Sequence, residues 1–216
     1  MATNDDDLAT PPRRGRPRDP ERLRRIMEAA RNHFYAHGLE RASVDAIAAE
    51  AGVSKMTVYS HFGSKEGLFE AVVRDRTDRV MGGPEGVEAL DPLQPHKALQ
   101  TVAEQFLALT REEHTLGKFR SLYGAAKAQP EACRAFYRQG PERLNTELAA
   151  YLQRANDAGT LKVKNPRLAA DLFLGMFLGD GHMRGLLMLD MPDARENKAL
   201  FREAVRVFLA GYAVAG

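Results

Sequence analysis

The chain has 216 residues, of which 44% are hydrophobic and 28% charged, with a net charge of +2 and a single cysteine, Cys133. At ~100–200 residues per domain this is one large domain or two small ones, of ordinary globular composition. One thiol excludes an intrachain disulfide framework and any multi-cysteine zinc site, and it fits a reducing compartment. The charge is unevenly placed. Residues 1–12 carry −3 through Asp5, Asp6 and Asp7, residues 13–65 carry +5, and residues 66–216 balance to zero. A basic segment on a neutral body is the footprint of a nucleic-acid binder, although a solvated basic patch gives the same arithmetic.

In chain order, residues 1–18 form a tail rich in Asp, Thr, Pro and Arg without apolar periodicity. Asp19 reads as an N-cap with Pro20 at the first helical position. Leu23, Ile26, Met27, Ala30 and Phe34 then mark one helix face, closed by Gly38. Ser43 caps a short second helix with Val44, Ile47, Ala48 and Ala51 inward, and Gly52 stops it. Ser54 caps a third helix to Phe62, and Lys65 begins a fourth that ends near Met81, before the glycine- and proline-rich stretch that marks the best domain boundary. The remainder shows helical spacing at about 95–112, 116–128, 131–157, 166–189 and 193–213, with Gly140 and Pro141 expected to kink or split the third of these. The expected class is therefore all-α.

Ser43 to Phe62 carries the most specific pattern. Two short capped helices flank Gly52, with a small residue, Ala48, where the helices approach and Val58 and Ile47 filling the core between them. Such a pair is a helix-turn-helix, or an ordinary helical hairpin of an all-α core. In a helix-turn-helix the third helix enters the major groove, presenting Lys55, Met56, Thr57, Tyr59, Ser60 and His61. Lys55 suits guanine or phosphate, the Thr57 methyl suits thymine, and the Tyr59 hydroxyl reaches phosphate. Lys55 and Lys65 each follow a capping serine, so an ammonium sits where the helix macrodipole is already positive. An external phosphate reverses that cost, and Ser43 offers a third hydroxyl of the same kind; the alternative is a lysine leaning into water.

On these residues the chain resembles the TetR family of transcriptional regulators. The resemblance runs from about Pro20 to Val80 and rests on Ile26, Ala29, Ala30, Phe34, Gly38, Ser43, Val44, Ile47, Ala48, the run Ala51 to Ser54, Thr57 to Tyr59, His61, Phe62 and the run Ser64 to Leu68. It implies an all-α homodimer in which three N-terminal helices bind double-stranded operator DNA, a fourth connects, and the C-terminal helices dimerise and hold a small-molecule effector. The implied division is a basic arm at 1–18, a DNA-binding domain with connecting helix at 19–83, and a ligand-binding and dimerisation domain at 84–216. By resemblance Lys55, Thr57, Tyr59 and His61 contact operator, and Ser43 and Lys65 hold phosphates. Met56 stands where the family often has a small or polar residue, and His33 where leucine is usual, which reads as a partly buried neutral imidazole.

Arg14, Arg16 and Arg18 precede the first helix, and Arg14 to Pro17 resembles the core of an AT-hook. Gly15 and Pro17 keep such an arm narrow enough for minor-groove insertion; a solubilising tail is the plainer reading. In the C-terminal half, Arg167 to Gly179 resembles the penultimate helix of the family, part of a four-helix dimer interface. The expected interface comprises Phe173, Gly175, Phe177, Gly179, Val205, Phe208, Leu209 and Tyr212, with core packing alone as the alternative. Candidate effector-lining residues are Phe106, His114, Phe119, Arg120, Tyr123, Phe173, Met176, Phe177 and Met183, suited to an apolar ligand with one polar anchor, though such spacings also describe plain core. His33 and His37 lack a third ligand nearby in sequence, so neither metal nor cofactor is expected.

The longest apolar run, Leu172 to Gly179, is far below the ~20 residues of a spanning helix, and no apolar stretch heads the chain. The expectation is a soluble cytoplasmic protein without a membrane partner. The leading reading is a ligand-responsive repressor. The alternatives are a helical enzyme of small-molecule metabolism, for which no nucleophile–base set or phosphate loop is visible, and an architectural DNA protein using the arginine arm without sequence choice.

Overall fold

The computed structural model describes residues 20–81, 83 and 86–214, apart from the side chains at 35, 125 and 132. Arg14, Arg16 and Arg18 of the arm, and the Asp19 cap, lie outside the described residues. The described residues are helical in pattern, with α1 (Pro20–Arg41), α2 (Val44–Ala51), α3 (Lys55–Phe62), α4 (Lys65–Val80), α5 (Pro95–Arg111), α6 (Glu113–Ala125), α7 (Pro130–Tyr137), α8 (Arg143–Asp157), α9 (Pro166–Gly175), α10 (Asp180–Leu186) and α11 (Ala194–Tyr212). One isolated bridge, Leu161 to Ala213, ties the loop after α8 to the end of α11.

Apolar burial divides into two clusters. The first joins α1 to α4 through Ile26, Ala30, Phe34, Ile47, Val58, Leu68 and Val72. The second begins at Val80 and Met81 and takes in α5, α8, α9 and α11 around Leu99, Leu148, Tyr151, Leu152, Phe173, Phe177 and Phe208. Helix α4 therefore contributes to both, with Leu68 to Val73 in one and Val80 in the other. The short N-terminal helices are defined by their ends. Ser43, Ser54 and Ser64 each turn a side-chain oxygen onto a backbone N–H three residues on, satisfying donors that a helix start leaves orphaned. Gly52 adopts φ +65° and its N–H returns to Ala49 O at 3.1 Å, ending α2 in a left-handed turn that a Cβ would disfavour. Gly38, at φ +73°, likewise ends the regular part of α1 before its last turn.

Two expected helices differ in detail. The segment 131–157 is not split: α7 runs into α8 through a wide turn at Arg138–Glu142 around Pro141. Proline has no N–H to give and its ring crowds the carbonyl four residues back, and the helix accommodates both by widening. The segment 166–189 is two helices. After Gly175 the backbone tightens, with Phe177 N bonding Leu174 O and Leu178 N bonding Gly175 O, and α10 restarts from Gly179. Two glycines four apart remove the side chains that would hold that turn helical. Gly175 and Gly179 consequently share no helix face, and nothing approaches within 4 Å of where their Cβ atoms would stand. The close approaches fall at Gly181 and Gly185, where a Cβ would meet Arg111 at 2.6 Å and Leu116 at 2.7 Å.

Candidate nucleic-acid interface and internal cavity

Helix α3 presents its N-terminal turn outward. Met56 is 74% exposed, and Lys55 and Ser60 are exposed beside it. Lys55 Nζ donates to Asp45 Oδ2 of α2 at 2.9 Å, and this contact raises the ammonium's pKa. Thr57 Oγ1 lies 2.9 Å from Ser54 Oγ, so its hydroxyl belongs to the cap and its methyl is the freer half. Val58 is fully buried, while Tyr59 and Phe62 pack partly against the first core and His61 is half-buried beside the Phe62 ring. Lys65 Nζ donates to Glu40 O at the end of α1, a favourable place for a cation. Ser43, Lys55 and Lys65 thus hold intramolecular partners on the exposed side of the helix starts. His33 is partly buried as expected, and its Nε2 lies 2.9 Å from Glu50 Oε2, which links α1 to α2.

A cavity of about 500 Å³ lies between the second half of α4 and helices α5 to α9. Val73, Arg76 and Thr77 of α4 form one side. Phe106, Phe119, Tyr123, Phe136 and Tyr137 supply aromatic wall, and Lys118, Asn145, Thr110, Thr115 and Asp171 most of the polar groups. The Phe119 ring meets Phe136 edge-on at 5.6 Å and His182 at 5.3 Å. His182 Nδ1 donates to Thr110 O at 3.3 Å, which fixes its tautomer, and burial holds the imidazole's pKa down. The widened turn before α8 closes another side. Thr77 Oγ1 lies 3.2 Å from both Val73 O and Gln139 O, Gly140 packs on Val73, and Arg143 bonds Asp78 at 2.7 Å. Arg76 is ion-paired with Glu112. Burial, then the nearby Arg76 and Arg31 charges, lower the Lys118 ammonium to about 7.

Of the candidate effector residues, Phe106, Phe119 and Tyr123 come together in this wall. The others stand elsewhere. His114 and Met183 are exposed, Arg120 bonds Gly185 O at 2.8 Å and pairs with Glu113, and Met176 packs on the second core. Phe173 and Phe177 are fully buried in that core. Phe173, Phe177, Val205 and Phe208 therefore have no surface left to offer a partner chain, and Leu209 and Tyr212 pack partly against them. The exposed apolar side chains of this region are instead Leu168, Leu172, Leu178, Met183, Leu187, Met188, Leu189 and Val207. Lys118 was legible in principle: it falls on the face defined by Thr115, Phe119 and Leu122 at helical spacing. The contribution of α4 and of Asn145 was not, because neither shares a local pattern with α6. Among the described residues no group of three or more His, Cys, Asp or Glu is arranged to hold a metal ion, and no helix is long and apolar enough to cross a membrane.

Four helices that cap, turn and present α3 in this way, joined to a helical bundle, define a helix-turn-helix regulator fold. Residues 97–214 match the family model for the C-terminal domain of AefR-like transcriptional repressors, and residues 26–72 match that for bacterial regulatory proteins of the tetR family. The chain belongs to the TetR family of transcriptional regulators. A solved TetR-family structure from Mesorhizobium loti is 30% identical with a TM-score of 0.66, covering 92% of this chain and all of that one. A solved flavonoid-responsive regulator, FrrA, is 26% identical with a TM-score of 0.62 and covers 92% of this chain and all of its own. The transcriptional repressor SCO4008 of Streptomyces coelicolor is 43% identical over 60 residues, which is 27% of this chain and 31% of that protein.

Proposed function

We propose that this regulator is a repressor that binds a palindromic operator as a homodimer and is released by a small, largely apolar effector. The observation that carries this reading is the position of the cavity. Its wall includes Val73, Arg76 and Thr77 of α4, the helix whose first half packs Leu68 and Phe69 into the core that supports α3. An effector there touches the element that sets where α3 stands, so a differential affinity for two settings of α4 becomes a differential affinity for DNA. Lys55, Met56, Thr57, Tyr59 and His61 read the groove, Ser43 and Lys65 hold phosphates, and Arg14, Arg16 and Arg18 enter the flanking minor groove. The exposed apolar side chains on α9, α10 and α11 support pairing of two chains, which a two-fold operator requires. The flavonoid-responsive relative supports an effector with an aromatic body.

The test begins with operator selection from a random duplex pool by the purified chain. The expected product is a palindrome with half-sites about one DNA turn apart. Lys55→Ala and Tyr59→Ala should each weaken affinity for it at least roughly tenfold, about 1.4 kcal/mol. Equal affinity for the selected duplex and random DNA at physiological salt would overturn the operator reading.

A further inference from the structure

The exposed side chains of α3 are Lys55, Met56 and Ser60, and the two polar ones are already engaged. Lys55 Nζ donates to Asp45 Oδ2 of α2 at 2.9 Å, so a guanine contact by this ammonium requires that pair to open. Ser60 Oγ donates to Thr57 O at 2.8 Å, which commits its proton to its own helix. The hydroxyl of half-buried Thr57 belongs to the cap, 2.9 Å from Ser54 Oγ.

Met56 differs from these neighbours. It is the second residue of α3 and 74% exposed, and among the described residues of α1 to α4 no other large apolar side chain stands so far into solvent. Val58 is fully buried, and at 3.6 residues per turn Met56 lies roughly 200° around the helix from it. The methionine therefore points away from the core that holds α3. Single exposed apolar residues are ordinary on a protein surface, but this one heads the helix whose N-terminal turn meets base edges.

The chemistry of those edges selects its partner. In the major groove all four bases offer donors or acceptors, and thymine alone adds a C5-methyl group. A thioether has no proton to give and accepts weakly, so it discriminates by taking apolar surface out of water. Being unbranched and polarisable, it adapts to a methyl group. Under the same side chain, the amino group of cytosine or adenine would lose water without gaining a partner. On the reading that α3 enters the major groove of an operator, we propose that Met56 is a specificity-determining residue that reads a thymine. Its side chain packs on the C5-methyl group of one thymine in each half-site.

The experiment uses the full chain and the duplex enriched from the random pool, with each thymine of a half-site replaced in turn by deoxyuridine. That replacement keeps every hydrogen-bonding group of the base and removes the methyl group alone. Fluorescence anisotropy should show one thymine at which the replacement lowers affinity about fourfold, the worth of one buried methyl group. Replacement in both half-sites should approach the square of that loss. Met56→Ala should bind the thymine and deoxyuridine duplexes equally at this position, and Met56→Leu should keep most of the difference. A side chain that only supported the helix would change both duplexes alike and leave their ratio untouched. Circular dichroism verifies that each variant is folded. A wild-type chain indifferent to deoxyuridine at every position overturns the proposal while leaving the operator reading in place. A sensitivity that Met56→Ala retains at every position does the same. Enrichment of no particular duplex overturns both.

Discussion

Gly67 is the third residue of α4 and has an ordinary helical backbone, so on local preference alone alanine there should stabilise by up to ~1 kcal/mol. The fold forbids it for another reason. A Cβ at this position would stand 2.2 Å from the Phe62 carbonyl oxygen, about 1 Å inside the ~3.3 Å of a close carbon–oxygen contact. The obstacle is backbone at the end of α3, which cannot swing aside as a side chain does. Overpacking of this kind costs ~1–3 kcal/mol, and the upper part of that range outweighs the propensity gain by ~1–2 kcal/mol. For a chain of this size that corresponds to a fall in Tm of roughly 2–8 °C. Relief of the clash requires the start of α4 to move from the end of α3, so operator affinity should fall as well. Gly117→Ala in α6 is the control, because its nearest neighbour would be Arg120 Nη2 at 3.7 Å and only the propensity gain applies. Scanning calorimetry and fluorescence anisotropy on the selected operator measure both effects. A Gly67→Ala variant as stable as Gly117→Ala, with unchanged DNA affinity, would refute the close-approach argument.

Lys118→Met should stabilise the chain most at and below neutral pH. The folded amine titrates near 7 against an ordinary 10.5, so the unfolded chain holds the extra proton between those values and wild-type stability rises with pH across them. The advantage of the variant, on the order of a few kcal/mol at pH 6.5, should shrink by pH 10 in urea unfolding; a pH-independent difference would contradict the burial of the charge. Asp45→Asn releases Lys55 from its 2.9 Å partner and removes a negative charge beside the groove, so operator affinity should rise about two- to fivefold at low salt and the gain should fade as salt screens it. Deletion of residues 1–18 should reduce the slope of log affinity against log salt by up to about 0.9 for each phosphate that the arm neutralises, and an unchanged slope would remove the arm from the interface.

The N-terminal helices were legible because each boundary is written locally. A serine caps the starts of α2, α3 and α4, a glycine with positive φ ends α1 and α2, and the aliphatic spacing between them points inward as read except at Leu23, the first of the α1 face, which is 40% exposed. The C-terminal half obeyed the same periodicities, but its meaning depended on what the faces met. Phe173 and Phe177 read as dimer interface, with core as the alternative, and in the fold they pack among α5, α8 and α11. The glycine pair at 175 and 179 had the spacing of a close helix contact and instead marks the end of α9, while the next pair at that spacing, Gly181 and Gly185, is the one pressed against Arg111 and Leu116. The cavity draws its wall from segments up to about a hundred residues apart, from Val73 to Leu178, and no local pattern encodes that meeting.

Helix α4 has a mechanical consequence. Its 16 residues make a rod of ~24 Å with one end beside α3 and the other at the cavity. A tilt of about 5° about the cavity end moves the other end by ~2 Å along that length. Base pairs succeed one another every ~3.4 Å along a duplex, so this is more than half a step of groove register for each reading head. On the proposed reading of a paired, effector-released regulator, two heads on rods tilted in this way would lose phase with the DNA screw without any residue of α3 changing its own conformation.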